Sequence, residues 1–518
     1  MAVSTFSVPR FKTRSREIIR SLFRSRELQR DGNQRLNRQL AELDKHRRRL
    51  VNEKRALECR VAQQANELSR LKRENQQLCC LPADPVVANH NFGPKMISLC
   101  LELAKQIGFR PVGSVLQIIQ RWLGIEFKTP QWTTVRTWLC RCGVGLLEEQ
   151  AVTADDWIWM VDHSVQLAKQ NVLLILGIRQ SDLPAGRPLA RNDMSVLGIV
   201  PGDTRDKESV ALALNELTSK IGVPISIVAD GASELHQGID EFEKRGKTVL
   251  LMDDIKHKAA NILKHTLGKD PVFQEFESKL GTTTAQIQQT ELAHFLPPKK
   301  KAKCRFMTLS PLLKWQRMTQ HHLDNPDFAE SQGVTADRLK EKLGWVEAFK
   351  EPAQQWRQCQ AIVSCVLRFS NRNGVYRGAT DCLKKQLADL DLQGEIVQKV
   401  YVQLVEVYQR CEKRLLDSPY SELRLLVSTE VLESTLGGFK KIQRQHTRGG
   451  FTSLLAALPT LMSKQNPADV KRLLNKVNNK QWKDWGSKSN LDNSTHTKKM
   501  EAYREAKRHA GKTTVLLN

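Results

Sequence analysis

No stretch of this chain approaches the roughly 18 consecutive apolar residues that a membrane-spanning helix requires. The first residues are basic with no apolar segment behind them, so no secretory signal is expected either. Cysteine offers little. The 11 cysteines form no C-x-x-C pair, and Cys79-Cys80 and Cys140-Arg141-Cys142 are spaced too tightly for ordinary zinc ligation. Reduced thiols in a cytosolic or nuclear compartment are the simple expectation. Acidic residues are also short, 56 against 81 Lys and Arg, which leaves a formal charge of +25. That imbalance points to a polyanionic partner, most economically nucleic acid.

The positive charge is concentrated at the ends. Residues 1–80 carry 20 Lys and Arg against 9 Asp and Glu, and residues 463–518 carry 13 against 5. Between them lies a nearly ordinary globular composition, long enough for more than one domain. Residues 1–30 read as a basic arm. Across 31–80 a heptad seam follows, with Leu36, Leu43, Leu50, Leu57, Leu71 and Leu78 in register and Asn75 on the alternate seam. This predicts a parallel two-stranded coiled coil and hence a homodimer. Arg47 and Lys54 on the alternate seam weaken it, and an amphipathic helix folded back on the body competes. After a Pro- and Gly-containing break, residues 96–150 hold three short helical patterns, the last starting at Thr129-Pro130. They suggest a helix-turn-helix whose final helix, with Arg136, would enter the major groove, although any three-helix bundle would look alike.

From 155 to 267 the pattern alternates. Strands are expected at 157–164, 172–179, 194–200, 223–229 and 248–252, and helices at 206–221, 234–245 and 255–267. Three strands, then helix, strand, helix, strand is the order of a ribonuclease-H-like mixed α/β sheet. Residues 268–420 then read as an all-α insertion, 421–465 as the remainder of the core, and 466–518 as a loosely ordered basic tail. In a sheet of that order the first and fourth strands are neighbours. Asp162 and Asp230 end those two strands, and Glu433 lies in a helical segment later on. Each has a plain reading as a capping or solvated acid. Together they are the set that holds two divalent ions for phosphodiester chemistry, with carboxylate oxygens suited to Mg²⁺ or Mn²⁺. Glu430, three residues before Glu433, is the competing third ligand.

The strand-end Asp162, Val228-Ala229-Asp230-Gly231, and Leu432-Glu433-Ser434 followed by Gly438-Phe439-Lys440 resemble the D, D and E motifs of DDE transposases. The segment from Asp253 to Asn261 is similar to the same families, and a helical insertion before Glu433 matches the members with a split core. Leu436-Gly437 departs from the commoner Phe-Gly. The resemblance implies catalytic, metal-holding roles for Asp162, Asp230 and Glu433, and strand cleavage and transfer on element ends and target DNA. Lys299, Lys300 and Lys301 in the run 297–305 would contact phosphate, although a nuclear localisation signal has the same composition. Lys440, Lys441, Arg444 and Arg448 would hold DNA near the metals, with a solvated basic face as the alternative. The expected location is the bacterial cytoplasm at the nucleoid, or the nucleus of a eukaryotic host. Two rivals share these features: a non-catalytic DNA-binding regulator derived from a transposase, and a structure-selective nuclease of the same core.

Overall fold

The structure, a computed structural model, describes residues 15–79, 84–149, 152–165, 171–202, 206–299, 309–325, 333–445 and 452–489, with a few single positions besides. It divides into two units, Met1–Ala83 and Asp84–Asn518. The described part of the first unit is one helix, α1 (Ser15–Cys79). Residues 15–30 of the expected basic arm are the opening turns of this helix. The leucine seam is exposed, Leu43 at 65% and Leu50 at 51% of full accessibility. Short-range ion pairs line its flanks, among them Arg49–Glu53 at 3.1 Å.

The second unit is mixed α/β around a five-stranded sheet in the order β3-β2-β1-β4-β5. The strands are β1 (Trp157–Val165), β2 (Asn171–Arg179), β3 (Ser195–Gly202), β4 (Ser226–Ala229) and β5 (Leu250–Asp253). The first three form an antiparallel meander, while β4 and β5 run parallel to β1. Period-two alternation sorts β1 between two layers. Trp157, Trp159 and Val161 pack under α5 (Lys207–Ile221) and α6 (Ser233–Lys244), the β3–β4 and β4–β5 crossovers. Ile158 and Met160 face the larger core on the other side, which begins with α7 (Ile255–Leu267).

That larger core is mainly helical. After α7 come α8 (Pro271–Ile287), α9 (Ser310–Asp324), α10 (Ala336–Leu343), α11 (Lys350–Asn373), α12 (Ala379–Ala388) and α13 (Glu395–Leu416). Phe273, Phe276, Trp345, Phe349 and Trp356 stack at its centre, with ring centroids about 5 Å apart at Phe273–Trp356 and Phe276–Trp356. The chain then returns to the sheet as α14 (Glu430–Gln443).

The N-terminal helices α2 (Pro94–Ile107), α3 (Val112–Leu123) and α4 (Trp132–Glu148) lie where the sequence predicts them. Their setting differs from a free reading head. The body of α4 from Val135 through Gly145 is largely buried under α15 (Leu458–Met462), α16 (Pro467–Lys476) and α17 (Asn479–Lys488). The expected loose tail is thus corrected over 467–488: Val470, Leu473, Leu474 and Trp482 form an apolar face that closes this bundle. Gly143 makes the close approach feasible, because a Cβ there would sit 1.7 Å from the carbonyl oxygen of Ala456. Arg141 is buried beside it and donates to the carbonyls of Leu474 at 2.6 Å and Val477 at 2.7 Å, capping the end of α16. Cys140 and Cys142 are sealed in the same core, where burial pushes both thiols up to about 12, so neither offers a thiolate to a metal. Among the described residues, no helix is long and apolar enough to cross a membrane.

Candidate active site

The carboxylates are gathered by strand register. Val161 on β1 pairs with Ala229, the last residue of β4, so Asp162 on β1 and Asp230 just past the end of β4 come next on two adjacent parallel paths. Both continue the alternation that faces α7 and α14, as Met160 and Val228 do before them. Asp230 is held in shape by Ala232, whose backbone N–H donates to its Oδ1 at 2.9 Å as the chain turns into α6.

Glu433 enters from the first turn of α14. Its Oε2 accepts from Lys256 Nζ at 2.6 Å, and its Oε1 lies 4.0 Å from His257 Nε2. Lys256 and His257 sit on the first turn of α7, so two helix starts converge here. They are joined directly. Ile255 N–H donates to the Val427 carbonyl at 3.0 Å, and Thr429, which precedes α14, donates its hydroxyl to Asp254 Oδ2. Asp254 is the N-cap of α7, accepting the Lys256 N–H at 2.9 Å, and takes His257 Nδ1 at 2.6 Å. Both helix dipoles therefore present their positive ends to the cluster of acids.

The electrostatics show how tightly the group is coupled. Burial, then the charge of Asp230 and that of Glu433, push the Asp162 carboxyl up to about 7 against the opposing pull of His257 and of the His163 N–H. Burial alone would lower His257. The hydrogen bond and charge of Asp254, with Asp230 and Glu433 behind them, overcome it and hold the imidazole at about 9. Lys256 is likewise raised: burial works against its charge, and the contact with Glu433 outweighs burial. Glu430 belongs to another environment. Asn371 donates to it, and it lines an open cleft of about 400 Å³ with Arg191 and Ser434.

Among the described residues, Asp254, His257 and Glu433 have ligand atoms within 4.8 Å of one another. His257, raised to about 9, bonds Asp254 and faces Glu433, so the three form a charge network as they stand. The carboxylate oxygens of Asp162, Asp230 and Glu433 are hard donors of the kind a divalent ion takes, and a cation beside Asp162 would oppose the charges that raise its carboxyl.

The other sequence-predicted residues are spread out. Arg136 is half-buried, its guanidinium 5.4 Å over the Trp482 ring. Lys441 donates to the Gln106 carbonyl at 2.9 Å and caps the end of α2, Lys440 is half-buried on α14, and Arg444 is exposed just beyond it. Lys299 is exposed at the start of its basic run, while Lys300, Lys301 and Arg448 lie outside the described residues. Sequence reasoning marks the segment from Asp253 to Asn261 but gives Lys256 and His257 no site role, and Asp254 none among the catalytic acids. An N-cap acid three residues before a histidine was the available signal, since that spacing puts both on one helix face.

No family model and no curated protein matches this chain. Among solved structures, it is similar to the Drosophila P element transposase strand transfer complex, at 13% identity and a TM-score of 0.38, over 81% of this chain and 100% of that one. What the site can do follows from its own residues.

Proposed function

We propose that this chain is a DDE-type transposase with a ribonuclease-H-like catalytic core split by the helical insertion. It would cleave DNA at element ends and join the freed 3′ ends to target DNA. One observation carries the reading: acids from β4 and α14 lie close enough to raise the Asp162 carboxyl on β1, against two cations on α7. A structural role for three mutually repelling carboxylates is costly, whereas a phosphodiester site requires them. Asp162, Asp230 and Glu433 would hold Mg²⁺ or Mn²⁺, which when bound supplies nucleophile activation and leaving-group stabilisation. Asp254 orients His257. Lys256 keeps Glu433 aimed inward and, once Glu433 is otherwise engaged, is placed to meet a phosphate oxygen. The exposed leucine seam of α1 supports a homodimer, and the basic surface supports DNA as the partner. The location follows the DNA, at a bacterial nucleoid or in a nucleus.

The test measures end binding by gel shift, and nicking and strand joining in Mg²⁺ or Mn²⁺, on one set of preparations. Asp162→Asn, Asp230→Asn and Glu433→Gln should each keep DNA affinity and lose nicking by several orders of magnitude, with little further loss on combination. Wild-type binding without any cleavage would replace the reading with a regulator. Cleavage without joining would leave a nuclease, and nicking that survives Asp162→Asn would move the site elsewhere.

A further inference from the structure

The helical segment between α7 and α14 carries a second concentration of charge, none of it shared with the carboxylate site. Lys314, Arg317 and His321 follow one another along α9 at spacings of three and four, and all three are exposed. Lys350 and Arg357 approach from α11. Between the helices lies an open cleft of about 730 Å³, lined by Arg317, His321, His322, Lys350 and Arg357 over the buried amides of Gln316 and Gln320. The cleft's carboxylate, Asp324, is already engaged by Gln320 Nε2 at 2.9 Å and Lys350 Nζ at 3.4 Å.

Arg357 donates to Gln316 Oε1 at 2.8 Å, and among the described residues neither it nor Arg317 has a carboxylate partner. Burial and the nearby charge of Arg317 both lower the Arg357 pKa. Two guanidiniums held together without a counter-ion repel, and an anion between them would relieve it. Forked guanidiniums beside an ammonium match the oxygens of a phosphate. The rings in the lining are the imidazoles of His321 and His322, with no Phe, Tyr or Trp for a nucleobase to lie on, which favours a phosphate over a whole nucleotide. Beside the cleft, the Phe295 ring packs at 4.9 Å on His322, four residues before the exposed Lys299.

We propose that the cleft between α9 and α11 grips a backbone phosphate of the DNA on which the carboxylate site works. This rests on the transposase reading for the identity of that DNA. The expected contact is independent of sequence and sensitive to salt.

Arg317→Gln and Lys350→Gln remove exposed charges, so folding is not at stake, and Lys385→Gln on the exposed side of α12 controls for loss of any one cation. Affinity for a labelled duplex of arbitrary sequence is measured by anisotropy across a KCl series, with ATP as the free-nucleotide probe. Nicking in Mn²⁺ is measured on the same full-length preparations. The paired variant should weaken duplex binding several-fold at low salt and reduce the slope of log K against log salt by about 1, with the control unchanged. A slope no different from the control's overturns the proposal. So does a variant that loses ATP binding while duplex affinity stands, which would mark a free-nucleotide site. A wild type that never nicks but shows the slope change fells the transposase reading and leaves the cleft. One that nicks, with no slope change in the variant, fells the cleft alone.

Discussion

Replacing Asp162 with Asn should stabilise the metal-free protein, and only above mildly acidic pH. The ordinary carboxyl value of 3.8 rises to about 7 in the folded chain. Below pH 4 the group is neutral in both folded and unfolded states and contributes nothing. Between 4 and 7 the folded state holds a proton that the unfolded state has released, so stability falls as pH rises, and the penalty is complete above 7. At about 1.4 kcal/mol per unit, a rise of roughly three units sets a ceiling near 4 kcal/mol; residual solvent at the strand end brings the expectation to about 2–4 kcal/mol. Asn keeps the shape and has no charge to desolvate. Urea midpoints of wild type and Asp162→Asn in EDTA, compared at pH 5 and pH 8, should differ by much more at pH 8. His257 works over another window, since its raised value gives stability that is present below about 6.5 and lost as pH passes 9. Adding Mg²⁺ at pH 8 should raise the wild-type midpoint and leave the variant's nearly unmoved. A variant no more stable than wild type at pH 8, or a gap that does not shrink toward pH 5, would refute the coupling of these acids.

Glu430→Gln and Glu433→Gln, three residues apart on one helix, should diverge in a nicking assay: the first stays near wild type, the second loses several orders of magnitude. Gly143→Ala drives a methyl into the Ala456 carbonyl and should cost about 3 kcal/mol or more in chemical denaturation. Gly437→Ala, on the open side of α14 with nothing within 4 Å, should instead gain about 0.5–1 kcal/mol. Leu50→Asp with Leu57→Asp, both more than half exposed on α1, should convert a sedimenting dimer to monomer at micromolar concentration; a wild-type monomer would remove the coiled-coil reading.

The sheet is legible because its pattern is local. Trp157 to Val161 alternates between two apolar layers, and each strand ends at a polar break. Asp162 and Asp230 could be picked out for the same reason, as charges at the ends of runs that are otherwise buried. What escapes the sequence is long-range. Lys256 and Glu433 are 177 positions apart, and nothing near either says that they meet at 2.6 Å. The burial of α4 is hidden similarly, since the helices that cover it lie more than 300 residues away. Their own start signal, Asn466-Pro467 before Val470, Leu473 and Leu474, is present but sits in a segment whose charge suggests a solvated tail.

The insertion raises a question of assembly, because Glu433 reaches the strand-end acids only after about 150 residues of separate helical fold. Loop-closure entropy for such a separation grows slowly with length, so the greater demand is for contacts that fix the returning chain's register. They are crowded at the two ends of the insertion. Arg414 on α13 reaches back to the Leu251 carbonyl at 3.0 Å and to the buried Asp253 at 3.2 Å, where Lys258 supplies the second cation at 3.1 Å. Leu425 bridges to Val375 at the end of α11, Val427 takes the Ile255 N–H, and Thr429 bonds Asp254. Each fixes the chain a few residues nearer to Glu433. A glutamate on a helix so anchored can meet the two aspartates with little freedom left to lose, which is what a site built from mutually repelling charges needs before any cation arrives.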